Sequence, residues 1–363
     1  MRILLIGEFS NVHATLAIGL RELGHEVTVI SNGDFWKNYP RDLDVSRPEG
    51  IFGGSRLMLR LITLLPKMRG YDVVQLISQI FLELKVEHIA FFYHYLLRHN
   101  KKVFMGANGF DDVWIKTCLE DNSLRYNDFK IGDNIRNYPQ LQEWKSEWTG
   151  TFRERYSQKV ASSCAGIIPG LYEYWVGYHK RYPDKTQYIP YPIVMPKSTS
   201  AERAQKSKVV LFIGINKERS KYKGTDIMLQ AAKDVQRKYP HRTKLQVAES
   251  VPFAEYQKMM DGSDAILDQL YSYTPSMNSL LAMSKGIICI GGGEPENYEL
   301  INETELRPII NVEPTYESVY QELEQLVLHP ERIPELKRQS IEYVRKHHDY
   351  LKVARKYINF WKK

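Results

Sequence analysis

The chain has 363 residues, 43% of them apolar and 26% charged, which suits a globular protein with room for two cores. Fifty basic against 43 acidic residues leave +7, an excess that fits anionic ligands or a membrane as readily as a solvated exterior. No helix-turn-helix, zinc-finger or RNP-like pattern occurs, so no nucleic-acid partner is expected. Cys118, Cys164 and Cys289 are too scattered for a disulfide framework or a zinc site.

In chain order, residues 3–6 form an apolar run, too short for a signal-peptide core and read as a buried parallel strand. After a turn at 8–11, a helix is predicted over 12–23, stopping at Gly24. Strands are predicted at 25–30, 72–77, 102–105 and 165–168, with helices at 56–68 and 82–99. No stretch approaches the ~20 apolar residues of a spanning helix. This β-α-β rhythm predicts a doubly wound sheet with ligands at the carboxyl ends of its strands.

Several features of this half bear on function. The turn at 7–13 (GEFSNVH) lacks the G-x-G-x-x-G fingerprint, so NAD is not expected. His13 is either a contact to a ligand or a structural residue of that turn. Asp42-Leu43-Asp44 spells D-x-D, but in a loop, and reads as surface acids. Residues 56–69 are basic and apolar, fitting the cover of the first sheet or a membrane surface. Asp111 and Asp112 follow the strand at 102–105 and read as acceptor-side groups or as a helix cap. Between 122 and 148 the rhythm fails, giving a large insert or a loop lining an opening.

A Pro-rich linker is read over 191–208, between an N-terminal domain at 1–190 and a second α/β domain at 209–343. That domain is expected to place strands at 209–214, 244–248, 265–269, 287–290 and 306–312. Its helices fall at 226–238, 252–260, 276–285 and 316–328, and a last one runs from 333 to 357. Residues 344–363 are expected to pack back toward the N-terminal domain.

The two segments that carry chemistry are 212–232 and 268–293. Each sets a strand, a polar turn and an amphipathic helix in series. The first brings Lys217, Arg219, Lys221 and Lys223 to its turn after Gly214, with Thr225 as the expected N-cap. The second offers the amides of Met277, Asn278 and Ser279 and the hydroxyls of Ser276 and Ser279. Orphan helix amides and clustered cations both favour phosphate oxygens, so a diphosphate site is expected. Solvated loops and a self-capping helix are the plain alternatives.

The order strand–Gly214–basic turn–Lys223-Gly224–helix, then Pro275 to Leu281-Ala282-Met283-Ser284-Lys285-Gly286 and a Gly-rich turn, resembles the donor domain of retaining GT-B glycosyltransferases of the family 4 type. The Gly7 turn, Gly24-His25-Glu26-Val27 and Ile189-Pro190-Tyr191-Pro192 fit as well. The resemblance implies an α/β fold of two Rossmann-like doubly wound domains facing a cleft. It implies a cytosolic, metal-independent transfer of a sugar from a UDP- or GDP-sugar to a hydroxyl of a glycan or lipid-linked acceptor. No cofactor is expected, and peripheral contact at the inner face of a membrane is a further expectation. Lys223 matches the family's phosphate lysine, with Arg219 or Lys217 replacing the arginine that is Ile215 here. The two glutamates of its E-x7-E pattern fall on Tyr273 and Leu281, with Asp268, Glu294 and Glu296 as nearby acids. Lys223, Arg219 and Asp111 are the expected catalytic residues; Gly214, Lys217, Tyr273 and Ser276 to Ser279 bind donor, and His13 and Asp112 lie on the acceptor side. A UDP-sugar epimerase, a non-catalytic nucleotide- or carbohydrate-binding protein of the same fold, and a metal-dependent GT-A enzyme are the rivals.

Overall fold

A computed structural model describes residues 1–197, 207–249 and 251–363. Of the expected linker at 191–208, residues 198–206 lie outside the described residues. The chain divides into two compact units. One comprises Met1–Asp121, Pro139–Pro192 and Tyr350–Lys363, the other Asn122–Tyr138 and Ile193–Asp349.

The first unit is built on β1 (Arg2–Ile6), β2 (Glu26–Ser31), β3 (Leu43–Asp44), β4 (Val73–Leu76) and β5 (Lys102–Ala107). After a separate hairpin, β6 (Lys130–Ile131) and β7 (Asn134–Ile135), its sheet is completed by β8 (Gly166–Pro169). The order is β3-β2-β1-β4-β5-β8, every pair parallel, with Ile3 opposite Val27 on one side and Val73 on the other. Ile3 to Ile6 are buried throughout because helices cover both faces of β1. Winding starts at β1 and moves outward both ways, which puts the switch point at the carboxyl ends of β1 and β4.

One face of this sheet is covered by the last helix of the chain, Tyr350–Trp361. Its Val353, Ala354, Tyr357, Ile358 and Trp361 pack with Ile3, Leu5, Leu16, Leu20, Val29 and Phe104 in one core cluster. Gly19 makes the close approach: a Cβ there would lie 2.8 Å from the carbonyl oxygen of Tyr350. The sequence pattern carries a single helix from 333 to 357, but the structure splits it into Ile333–His347 and Tyr350–Trp361. Between them the carbonyl of His348 accepts a 2.7 Å bond from the N–H of Ile193, and Asp349 bridges to Ile193 in parallel. His348 closes the first helix as its C-cap, at φ −115° and ψ 1°, and the bridge at Asp349 interrupts the helical run before Tyr350. Ile333–His347 therefore stays with the second unit, and only residues from Tyr350 onward join the first.

The second unit carries β9 (Val209–Ile215), β10 (Thr243–Glu249), β11 (Ala265–Leu267), β12 (Ile288–Gly291) and β13 (Ile310–Asn311), ordered β10-β9-β11-β12-β13 and all parallel. Its switch point lies at the carboxyl ends of β9 and β11. Phe212, Ala248, Met260, Ile266, Ala282 and Ile287 form a core cluster here. A buried ion pair sits beside it: Lys337 Nζ lies 2.6 Å from Asp264, whose other oxygen accepts from the Val210 N–H at 2.8 Å.

Lys337→Ala leaves the Asp264 carboxylate in that interior without its cation. Removing one partner of a buried pair typically costs about 3–5 kcal/mol. Urea unfolding monitored by near-UV circular dichroism is expected to show a loss of that order, and Asp264→Asn combined with Lys337→Met to recover most of it.

Candidate functional site

The candidate site starts where β9 ends. A Cβ at Gly214 would meet the Tyr256 ring at 2.5 Å, so only glycine lets that ring close over the strand end. The Tyr256 hydroxyl in turn accepts from Asn278 Nδ2 at 2.6 Å, joining the first motif to the second. Asn216 then caps a 3-10 turn, Lys217–Arg219, which runs into a one-turn helix, Ser220–Lys223. The segment read as a basic turn is thus helical.

Its placement changes the electrostatics. Lys221 and Lys223 fall in the last turn of this short helix, where cations are favoured, and next to the amino end of Thr225–Lys238. The residue between the helices is Gly224, at φ 71°, so glycine and not Thr225 is the N-cap. Thr225 is buried inside the first turn, its hydroxyl 2.9 Å from that of Ser220. Lys217 is paired with Glu249 at 2.7 Å, while Arg219 is exposed and has no ion-pair partner among the described residues.

The second segment lies against the first through the backbone. The N–H of Leu270 donates to the carbonyl of Lys223 at 2.9 Å. Ser276 is the N-cap of the helix Met277–Ser284, but its hydroxyl donates to Asp268 at 2.9 Å, and its N–H to the same carboxylate at 3.1 Å. Ser279 departs from expectation. It is completely buried beside Cys289, because position 279 falls on the core face of this helix. Its hydroxyl therefore faces the interior, while Met277 and Asn278 open the helix and Leu281 is half-buried.

Tyr273, at the position of the first family glutamate, is also buried. Its hydroxyl accepts the N–H of Arg125 at 2.6 Å, and its ring lies 4.9 Å from Tyr126 and 5.2 Å from the Arg125 guanidinium. These partners come from Asn122–Tyr138, which sequence order assigns to the first domain and which packs as part of the second unit. Its hairpin turns through Gly132-Asp133 with Gly132 at φ 54°. Arg125 pairs with Glu294 and Glu296, and Tyr126 donates to Glu294. Arg136 donates to the carbonyls of Lys221 (2.6 Å) and Tyr222 (3.0 Å) and stacks on Tyr271, 3.3 Å from the ring centroid. The strap thus holds the C-terminal carbonyls of the Lys223-bearing turn. The sequence pattern over 122–148 predicts a large insert or a loop lining an opening, without a strap; the Arg and Tyr residues spaced along it are the available signal.

In the first unit, Asp111 caps the helix Asp112–Glu120, accepting from the Trp114 N–H at 2.7 Å. Its other oxygen receives Gln79 Nε2 and the Tyr178 hydroxyl, both at 2.8 Å. Burial, followed by the neighbouring Asp112 charge, pushes its carboxyl up to about 6. Of the two readings of Asp111, acceptor-side group or helix cap, the geometry describes a buried cap at the centre of a hydrogen-bond network. Asp112 is buried too, with Gln158 at 3.3 Å. His13 is buried, its Nδ1 2.8 Å from the carbonyl of Gly7, and burial lowers it to about 4, so it stays neutral.

The overlooked group is Glu8, one residue past Gly7 at the first switch point. It is buried, accepts the N–H groups of Ala14 (2.8 Å) and His13 (3.3 Å), and is pushed up to about 8, by burial first and then by Asp34. An acid directly after the first strand and ahead of a helix was the legible signal.

Two measurements follow from this geometry. A Cβ at Gly224 would fall 2.6 Å from Leu270 and 2.7 Å from the Tyr271 ring, at a φ that alanine disfavours. Gly224→Ala is expected to cost about 1–3 kcal/mol in thermal unfolding. For Glu8, the folded value lies above the ordinary one, so its contribution is full below the usual glutamate range and is lost as pH rises toward 8. The loss is about 1.4 kcal/mol per pH unit between the two values. Glu8→Gln should remove this slope in unfolding curves recorded from pH 5 to 8.

No family model matches the sequence, and no curated protein matches it. Solved structures do match the fold. Sucrose-phosphate synthase from Thermosynechococcus elongatus superposes with a TM-score of 0.63 over 100% of this chain and 98% of its own, at 10% identity. HepE from Anabaena, solved with UDP and glucose, gives 0.58 over 99% and 98%, at 10% identity. UDP-GlcNAc 2-epimerase from Neisseria meningitidis, bound to UDP-GlcNAc, gives 0.54 over 99% of each chain, at 11% identity. At such identities the likeness speaks to architecture, and the architecture it gives is GT-B: two Rossmann-like, doubly wound α/β domains.

Proposed function

We propose that the protein is a glycosyltransferase that moves a sugar from a nucleotide-diphosphate donor, a UDP- or GDP-sugar, to a hydroxyl of a glycan or lipid-linked acceptor. The observation that carries this reading is the Leu270–Lys223 backbone bond. It sets a basic helical turn and two helix amino ends together at the carboxyl ends of β9 and β11. Cations and orphan amides converging at a switch point suit a diphosphate. HepE, of the same fold, was solved with UDP and glucose, which supports the donor class.

In this reading Lys223 and Arg219 contact the diphosphate, joined by the amides of Met277 and Asn278. The leaving diphosphate gains charge as the glycosidic bond breaks, and preorganised donors aimed at that charge lower the barrier. The acceptor hydroxyl attacks the anomeric carbon on the face the diphosphate leaves, passing its proton to the departing phosphate oxygen. Configuration is then retained, and the cations supply what a metal would otherwise provide. Building a polysaccharide or other glycan is the role that follows from the resemblance, and for a lipid-linked acceptor the inner face of a membrane is where it would be met.

The first test is thermal unfolding with UDP, GDP and ADP, with and without a chelator. A ligand at ~100 times its Kd adds about 2.7 kcal/mol. A chelator-insensitive shift with one nucleotide is expected. Lys223→Ala, folded, should bind that nucleotide about tenfold to a hundredfold more weakly, the loss of one charge-assisted hydrogen bond. Unchanged affinity in the folded variant would sink the assignment. The UDP-GlcNAc 2-epimerase of the same fold keeps an epimerase as the second reading. Epimerised nucleotide sugar formed without any acceptor would favour it.

A further inference from the structure

The helix Phe152–Ser163 has two faces of different chemistry. Tyr156, Ser157, Val160 and Ala161 are buried and hold it to the first unit. Arg155, Gln158, Lys159 and Ser162 are exposed and fall within an arc of about 100° on the opposite side, at 3.6 residues per turn. That side forms one wall of a cavity of about 470 Å³, whose other walls bring Asp112 and Lys116 from the helix Asp112–Glu120 and Arg181 from the helix Tyr172–Arg181. All of these residues belong to the first unit, and the volume suits a small molecule.

Three cations of this cavity lack a counter-charge. Arg155, Lys159 and Arg181 have no ion-pair partner among the described residues, whereas Lys116 is taken by Glu154 at 2.5 Å. Lys180, outside the cavity, is likewise taken by Asp121 at 2.7 Å. Arg155 and Lys159 stand one turn apart, an arrangement of like charges that destabilises a helix unless an anion lies between them. Arg181 is already oriented, donating to the Thr117 hydroxyl at 2.9 Å and to the carbonyl of Gly177 at 3.3 Å. Beneath the cations the sign changes. Asp112 is 2% exposed; Gln158 donates to one of its oxygens at 3.3 Å, and the other is buried with no hydrogen-bond partner. Buried polar atoms are nearly always bonded, so that oxygen calls for a donor.

We propose that this cavity binds a phosphate monoester of a polyhydroxylated molecule, a sugar or polyol phosphate. The phosphate would lie among Arg155, Lys159 and Arg181, where each contact is a charge-assisted hydrogen bond. A hydroxyl of the same molecule would donate to Asp112 as the exposed Gln158 side chain turns aside. Inorganic phosphate alone brings the anion without a body to fill the cavity, and an uncharged sugar leaves the cations unpaired. Val113 is the one aliphatic residue of the lining, so an acyl chain finds no apolar wall here. The inference goes beyond the proposed transfer reaction and does not depend on the nucleotide site, whose residues belong to the second unit.

The test is isothermal titration calorimetry of the full chain at low salt with glucose 1-phosphate, glucose 6-phosphate, glucose and inorganic phosphate. At least one hexose phosphate is expected to bind, inorganic phosphate about tenfold more weakly, and glucose not at all. Arg155→Ala with Lys159→Ala should weaken hexose phosphate binding about a hundredfold, at the increment of two hydrogen bonds between charged groups. The unfolding temperature should stay in place, since both side chains are exposed. Lys180→Ala and Lys223→Ala should leave the affinity unchanged. Absence of binding by either hexose phosphate, or equal binding by inorganic phosphate, overturns the proposal. So does a loss with Lys223→Ala, which would put the phosphate on the second unit. A loss with Lys180→Ala as large as that of the double variant overturns it too, because the effect would then be diffuse surface charge.

Discussion

The backbone bond between Leu270 and the carbonyl of Lys223 is the constraint on which the candidate site depends. It forms because Gly224 has no side chain and takes a left-handed φ, letting the Leu270-Tyr271 loop close over the turn. Once closed, the cationic turn and the helix Met277–Ser284 are carried by adjacent strands, β9 and β11, at one end of one sheet. The lysine-glycine pair quoted for the family resemblance thereby gains a mechanical meaning. Lysine provides the charge, and glycine provides the space that fixes where the charge stands.

The strap Asn122–Tyr138 reinforces this arrangement from outside the strand order. Arg136 takes the C-terminal carbonyls of the Lys223-bearing turn, and Arg125 gathers Glu294 and Glu296. These acids, with Asp268, were the nearby carboxylates available to replace the missing family glutamates. All three are held by protein groups, Asp268 by Ser276. Tyr273, in place of the first glutamate, trades a carboxylate for a ring that packs the strap. The candidate site of the second unit is therefore organised around arginine–carboxylate and arginine–aromatic contacts of its own.

The first unit shows a different economy. Its functional candidates by sequence, Asp111, Asp112 and His13, are all buried, and Asp111 and His13 are bonded to their own surroundings. A polar group withdrawn from water must find partners within the fold, so residues that look reactive in sequence become caps and anchors. Glu8 is the exception in degree. Two amides only partly offset its burial, which leaves its carboxyl holding a proton near neutral pH. The core above it is completed by Tyr350–Trp361, drawn from the far end of the chain.

What the sequence determined by itself was periodic. Continuous apolar runs named the parallel strands, 3.6-residue stripes named the helices, and their alternation named two doubly wound sheets. Motif order placed Gly214, Lys223 and Gly224, because a glycine at a strand end and a lysine before a helix are local statements. Tertiary structure alone decided which residues meet across long separations. It turned Ser279 inward, placed the strap with the second unit and broke the last helix at His348-Asp349, where Ile193 takes the backbone bond. Each outcome rests on a partner far away in the chain, and local pattern carries no record of such a partner: propensity acts over a few residues, whereas burial and hydrogen bonding answer to whatever the fold brings alongside.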